Sequence, residues 1–237
     1  MNTPLLNRPV GQLVAEKPTR SRVFERWGID YCCGGKKPLI EACADKGFDH
    51  TEVLRDLEES DSGRQIVSVD WTKETLNALC DHIENVHHGY LRLALPRLTM
   101  LTEKVADRHG QRDSRLVQLK DVFQTFRSDM EAHTGKEDHI LFPAIRSLEG
   151  KATPFARGIS LPIQVMLADH DSAGAALERM SDLTDGFVPD LNACNTHRAM
   201  LDALAELVHE THEHVHLENN ILFPRAVEVA SSLAESQ

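Results

Sequence analysis

Four long stretches of the chain repeat apolar residues at intervals of three and four, the spacing of an amphipathic helix. The first runs from about Thr72 to Arg108 and sets Leu76, Leu79, Ile83, Leu91, Leu95 and Leu98 on one broad side. The second spans about Asp113 to Leu148, the third Leu161 to Leu183 and the fourth Leu191 to Val229, with proline and glycine clusters between them. Sustained period-two runs of β-branched residues are missing, and aromatic residues make up 5% of the chain. The pattern predicts an all-α protein. Pro96 marks a kink in the first helix, and Pro143 and Pro224 mark a kink or a changed ending in the second and fourth.

Ahead of these, residues 1–60 predict a small helical module. Val10–Glu16 lies between two prolines, and Thr19–Trp27 has Thr19 as its N-cap and Gly28 as its stop. Pro38–Lys46 opens on a proline and ends at Gly47. Asp49 caps a last helix whose Val53, Leu54 and Leu57 form an apolar stripe. The run Glu59-Ser-Asp-Ser-Gly-Arg-Gln reads as a linker, so residues 1–60 and 70–232 are expected to form separate domains.

One phrase occurs twice. His133-Thr-Gly-Lys-Glu137-Asp-His-Ile-Leu-Phe-Pro143 returns as His214-Val-His-Leu-Glu218-Asn-Asn-Ile-Leu-Phe-Pro224. An i,i+4 pair lies on one helical face, so each phrase aims an imidazole and a carboxylate the same way. The repeat extends outward, because a shift of 82 residues places His88 on His170, Ile83 on Val165, Arg97 on Arg179 and Leu98 on Met180. A two-helix unit used twice, each giving one lone His and one His-x-x-x-Glu, predicts a four-helix up-down bundle with pseudo-two-fold symmetry.

Those six residues, His88, His133, Glu137, His170, His214 and Glu218, are candidate metal ligands. A single i,i+4 His–Glu pair is ordinarily a surface contact worth a few tenths of a kcal/mol. That reading explains one copy but not two with the same apolar tail. The other histidines lack such support: His139 matches Asn220, His212 and His216 lie off the ligand face, and His82, His109 and His197 have no repeated partner. Nitrogen and oxygen donors without thiolate suit iron or manganese better than zinc. Two bridging carboxylates and two imidazoles per ion leave about two octahedral positions for an oxo bridge, water or a diatomic ligand. Two carboxylates leave an oxo-bridged di-ferric pair with residual positive charge, which favours labile iron.

Composition narrows the rest. A net charge of −11 argues against nucleic acid. No apolar run approaches the ~20 residues of a membrane span, and the first residues lack a signal-peptide core. Five cysteines in such a chain are expected to be reduced, which makes the cytoplasm the expected location. Cys43, Cys80 and Cys194 read as small buried hydrophobes. Cys32 and Cys33 differ, since Gly34 and Gly35 open the backbone, Lys36 and Lys37 bring positive charge, and Pro38 starts a helix whose N-terminus favours a thiolate.

The six ligands and Leu217–Pro224 resemble the hemerythrin-like di-iron domain. With Asp30-Tyr-Cys-Cys-Gly-Gly35 ahead of them, nearly the whole chain resembles the RIC proteins, for repair of iron centres. The resemblance implies an oxo-bridged pair of irons and restoration of iron–sulfur clusters damaged by nitric oxide or peroxide, by iron donation. Its partners would be damaged iron–sulfur proteins, its small ligands nitric oxide or oxygen; a homodimer stays open. Oxygen-carrying hemerythrins place a second His where Gly174 stands and an Asp five residues after the fourth-helix His, where this chain has Glu218 at four. That departure disfavours oxygen carriage. A gas sensor and a di-iron nitric oxide reductase remain alternatives, and the Cys-Cys module favours the iron donor.

Overall fold

The computed structural model describes residues 3–62, 69–149 and 158–235. The described residues form helices and turns only, apart from one isolated bridge between Pro9 and Pro38. The first rod of the bundle comprises α6 (Leu76–His82), a π turn (Ile83–His88) and α7 (Gly89–His109). The second comprises α8 (Arg115–Lys136), a π turn (Glu137–Leu141) and α9 (Phe142–Leu148). The third is a single helix, α10 (Ser160–Leu183). The fourth comprises α11 (Asn195–Leu217), a π turn (Glu218–Leu222) and α12 (Phe223–Glu235).

Two apolar layers fix the direction of each rod. One joins Leu76 and Ile83, Phe142 and Leu148, Ile159 and Met166, and Leu222 and Ala226. The other joins Leu91 and Val105, Leu116 and Met130, Ala173 and Leu183, and Met200 and Leu207. The rods therefore cross from layer to layer in alternating directions, the up-down arrangement. The candidate ligands fall between the layers along their rods, with Glu218 at the margin beside Leu217.

The π turns account for two features of the sequence. Pro143 and Pro224 each follow the first residue of α9 and α12. A proline has no N–H and crowds the carbonyl four residues back; the wider five-residue turn just before it absorbs that mismatch. The π turn also adds one residue to the first rod that the third rod lacks. Beyond His88 the 82-residue shift holds, with Leu98 and Met180 both buried. Before it the shift becomes 83: Leu76, Cys80 and Ile83 match the buried Ile159, Ile163 and Met166. The ungapped pairing of Ile83 with Val165 is thus wrong, for Val165 is exposed. Pro96 does not interrupt α7.

The N-terminal helices are α1 (Thr3–Leu6), α2 (Val10–Glu16), α3 (Ser21–Arg26), α4 (Leu39–Lys46) and α5 (His50–Ser62). Gly28 and Gly47 take left-handed conformations after α3 and α4 (φ 59° and 73°), and Asp49 Oδ1 accepts the Thr51 N–H at 2.9 Å. Two expectations need correction. Pro18–Arg20 forms a 3₁₀ turn with no side-chain cap, so Thr19 is not an N-cap. Glu59–Ser62, read as linker, is the end of α5; it stays helical because buried Arg20 grips Asp61 with two bonds of 3.0 and 2.6 Å. The rest of that linker, residues 63–65, lies outside the described residues.

The N-terminal helices pack on the fourth rod. Val215 of α11 joins their apolar cluster, and Asn220 donates to the carbonyls of Cys32 (3.0 Å) and Tyr31 (3.3 Å). Gly11 and Gly35 make this approach feasible, since a Cβ on either would lie 2.3 Å from Asn220 Oδ1. At Gly35 it would also meet the Tyr31 carbonyl at 2.7 Å. Gly35→Ala should therefore cost about 1–3 kcal/mol in urea unfolding, the usual cost of overpacking. An unchanged midpoint would mean that the loop relaxes freely around Asn220.

Candidate metal centre

His88 ends the π turn of the first rod, Glu137 and Glu218 begin those of the second and fourth, and His170 lies within α10. The side chains of His133, Glu137, His214 and Glu218 keep the i,i+4 alignment read from the sequence. All six candidates are buried, both carboxylates completely. They form two four-donor groups: His88, His214, Glu137 and Glu218; and His133, His170, Glu137 and Glu218. Both carboxylates belong to both groups.

The donor atoms converge without satisfying one another. His88 Nε2 lies 3.1 Å from His214 Nε2, and His133 Nε2 lies 3.1 Å from His170 Nε2. The Nδ1 of His88 faces Asp138 Oδ1 at 2.6 Å and that of His170 faces Asn219 Oδ1 at 2.8 Å. Those oxygens accept only, so each Nδ1 carries the hydrogen and each Nε2 of the neutral ring keeps a lone pair. The Nδ1 of His133 stands 3.4 Å from Asp169 Oδ2, which Lys136 also contacts at 2.5 Å. Imidazole nitrogens lie 3.1–3.4 Å from Glu137 and Glu218 oxygens, yet none of the four oxygens has an aligned hydrogen-bond donor. Facing lone pairs beside two buried carboxylates call for cations. Two donors at right angles on one ion, with bonds of about 2.1 Å, stand about 3 Å apart. The donor set thus fits a pair of ions sharing two carboxylates.

Burial lowers the affinity of His133 for a proton, but the charge of Glu137 overcomes it and raises the pKa to about 9. His88 is likewise raised, burial being outweighed by Glu137. Burial dominates at His214 and lowers it to about 4. Burial raises both carboxylates, but the facing imidazoles more than reverse it and both end below their usual range. A proton on His133 thus offsets part of the carboxylate charge in metal-free protein.

Sequence reasoning missed the groups that hold the rings. Asp138 and Asn219 directly follow the two glutamates and occupy the same place in the repeat; each fixes the lone His of the preceding rod. The phenylalanines of the repeated Ile-Leu-Phe-Pro stack on the same two rings, Phe142 on His88 (5.6 Å, 13°) and Phe223 on His170 (6.0 Å, 3°). The shared Glu-Asx step and the shared Phe were the available signals. The Asn220 that displaces a His from the second phrase is the residue that docks the N-terminal loop; its counterpart His139 is exposed. His212 and His216 pack against Tyr31.

Cys32 and Cys33 lie at this junction as free thiols, their sulfurs 3.9 Å apart. Cys33 Sγ is 3.7 Å from the His170 carbonyl and 3.9 Å from where a Cβ on Gly174 would stand. The glycine at the departure from hemerythrin thus leaves room for a sulfur beside a ligand helix. The thiolate expectation fails for Cys32. Its hydrogen bond to Cys33, burial and the Asp30 carboxylate raise its pKa well above the ordinary thiol value, and Lys37 pairs with Asp45 instead. Cys43 and Cys80 are buried as expected, but Cys194 is exposed at the head of α11, with Sγ 3.4 Å from His109 Nε2.

Residues 81–226 match the profile of the hemerythrin HHE cation binding domain, and residues 6–61 match that of a domain of unknown function, DUF542. The class is therefore a hemerythrin-type cation-binding bundle, and its His/Glu cluster is suited to a di-iron centre. The chain is also 36% identical to the iron-sulfur cluster repair protein YtfE of Escherichia coli O17:K52:H18 over 221 residues, 93% of this chain and 97% of that one. It is 35% identical, with the same coverage, to the proteins of that name from Enterobacter sp. strain 638 and Escherichia fergusonii. The chain belongs to the hemerythrin HHE family and, within it, to the family of these YtfE proteins.

Metal must displace the proton that His133 holds near neutral pH. Uptake by metal-free protein at pH 7–8 should release about one proton from His133, read with a pH indicator. Because the His133 pKa is raised to about 9, that release should fade as pH rises through this value, and affinity should rise with pH below it. Proton release that is absent at pH 7.5 would contradict the assignment of His133 as a ligand.

Proposed function

We propose that this protein repairs iron–sulfur clusters damaged by nitric oxide or peroxide, supplying iron from a pair held by His88, His133, Glu137, His170, His214 and Glu218. The observation that carries the reading is the buried set of two four-donor groups sharing both carboxylates, in a chain similar over 93% of its length to proteins named for cluster repair. Bound there, iron supplies a redox-active centre whose protein donors leave coordination positions open. The side chains do the rest. Asp138 and Asn219 keep the protons on Nδ1 and aim the Nε2 lone pairs inward. Phe142 and Phe223 keep water from the same rings. Only two ligand carboxylates balance the ions, which favours iron that can leave.

Residues 1–60 act in this reading as a delivery module on the di-iron bundle, residues 70–232. Cys33 lies against the ligand helix α10, and both cysteines border a cleft of about 830 Å³ that also reaches Asp171, Gly174 and Glu178. A soft sulfur pair at the lip of an iron store suits passage of iron or electrons. Cys33 is the reactive member, since Cys32 is buried and kept protonated. Damaged iron–sulfur proteins in the cytoplasm are the partners, and the transfer requires no turnover chemistry of its own. Among the described residues no helix is long and apolar enough to cross a membrane. A gas-binding role would leave the cysteine module without a task.

The test mixes iron-loaded protein with a nitric-oxide-damaged cluster enzyme and follows recovered activity beside iron lost from the bundle. Cys32→Ser with Cys33→Ser should leave the di-iron absorption intact and slow repair about tenfold, since serine keeps the size but loses the soft donor. Repair as fast as the parent at matched iron loading would make the cysteines structural. Recovery without loss of iron would exclude donation.

A further inference from the structure

Three of the four ligand imidazoles have their outer nitrogen held by a side-chain oxygen: His88 by Asp138, His133 by Asp169 and His170 by Asn219. His214 is the exception, for its Nδ1 is buried and has no partner. The repeat places an acceptor, Asp169, beside His133; 82 residues earlier, beside His214, stands His87. The rings of His87 and His214 are parallel, with centroids 5.7 Å apart and 7° between planes. His87 is 4% exposed, and its own Nδ1 also lacks a hydrogen bond. That nitrogen lies 3.5 Å from Glu210 Oε2.

Glu210 belongs to a third donor cluster, outside the di-iron set. Single donor atoms of His209, Glu210 and Glu213 lie within 4.8 Å of one another. His209 Nδ1 donates to Glu25 Oε1 at 2.7 Å, which leaves its Nε2 toward Glu213 Oε1 at 3.4 Å. A carboxylate on the outer nitrogen is the usual support of a metal-binding imidazole. The cluster also spans the route inward: the Glu213 side chain is 38% exposed, Glu210 21% and His87 5%. A cavity of about 320 Å³, bordered by His82, His87, Glu210 and Glu213, adjoins it.

We propose that His209, Glu210 and Glu213 form a third metal site for a single divalent transition ion, with His87 as the donor linking it to the His214 edge of the di-iron centre. One imidazole and two carboxylates are hard enough to favour ferrous or manganous ions. The site stands on its own geometry; its use as a station for departing iron rests on the iron-donor reading. The uncapped Nδ1 of His214 is then the price of an open path, since an acceptor in place of His87 would close it. The competing arrangement is a structural clamp, in which a protonated His209 is held between Glu25 and Glu213 and no ion enters.

Full-length protein, already loaded with iron, is titrated anaerobically with Mn²⁺, and free Mn²⁺ is followed by electron paramagnetic resonance. One additional ion per chain is expected. Glu210→Gln with Glu213→Gln should weaken it about tenfold or more, with iron content and di-iron absorption unchanged. Glu213→Gln alone, at a side chain that reaches solvent, guards against misfolding and should weaken binding in the same direction. The second readout is transfer of Fe²⁺ from the reduced protein to a chelator, which the variants should slow several-fold. An absent additional ion, or one bound equally well by the variants, overturns the site. A bound ion with unchanged iron release overturns only its role as a station. Iron missing before Mn²⁺ is added counts instead against the di-iron reading.

Discussion

Glu137 and Glu218 are fully buried negative charges with no hydrogen-bond donor aligned to their oxygens. Isolated carboxylates in such a place cost many kcal/mol, so something positive must sit between them and the four imidazoles. The rest of the bundle is arranged around that requirement. Two apolar layers enclose the cluster from either end, π turns widen three of the four rods at its level, and outer oxygens fix three of the four rings. The same charge arithmetic describes both states. The carboxylate charge that raises the proton affinity of His133 and His88 is the charge that bound metal ions would balance.

The pseudo-two-fold symmetry is close at the centre and fails where function needs a difference. His88 with Asp138 and Phe142 repeats as His170 with Asn219 and Phe223, but a carboxylate in one half is an amide in the other. His133 is supported by Asp169, whereas His214 has only the face of His87. The second phrase is also covered where the first is exposed: Ile221 is 3% exposed and Ile140 64%. That cover is the N-terminal module, which Asn220 holds through two carbonyls of the cysteine loop. The module therefore docks on the rod that carries His209 and Glu210 along α11 to His214 and Glu218 at the centre.

Helical periodicity and one repeated phrase made the all-α bundle and the six convergent side chains legible, because both follow from i,i+4 geometry. What the repeat hid was phase. An ungapped comparison cannot see that the π turn at Ile83–His88 adds a residue, so Ile83 was paired with an exposed valine instead of the buried Met166. The cysteine environment was misread for a related reason. Lys37 pairs with Asp45 and Lys36 is exposed, while Asp30, two residues before Cys32, accepts from three backbone amides of the loop. Asp138 and Asn219 were missed because a residue next to a ligand on a regular helix points about 100° away; only the π turn brings it toward the neighbouring rod.

The central claim is that two carboxylates are shared by two ions in one buried site. Anaerobic titration of metal-free protein with Fe²⁺, followed by oxidation and magnetic susceptibility, tests it most directly. The account predicts a break at about two irons per chain and an antiferromagnetically coupled ferric pair, both lost or weakened in Glu137→Ala and Glu218→Ala. Saturation at one iron per chain, with an uncoupled high-spin ferric signal, would contradict it.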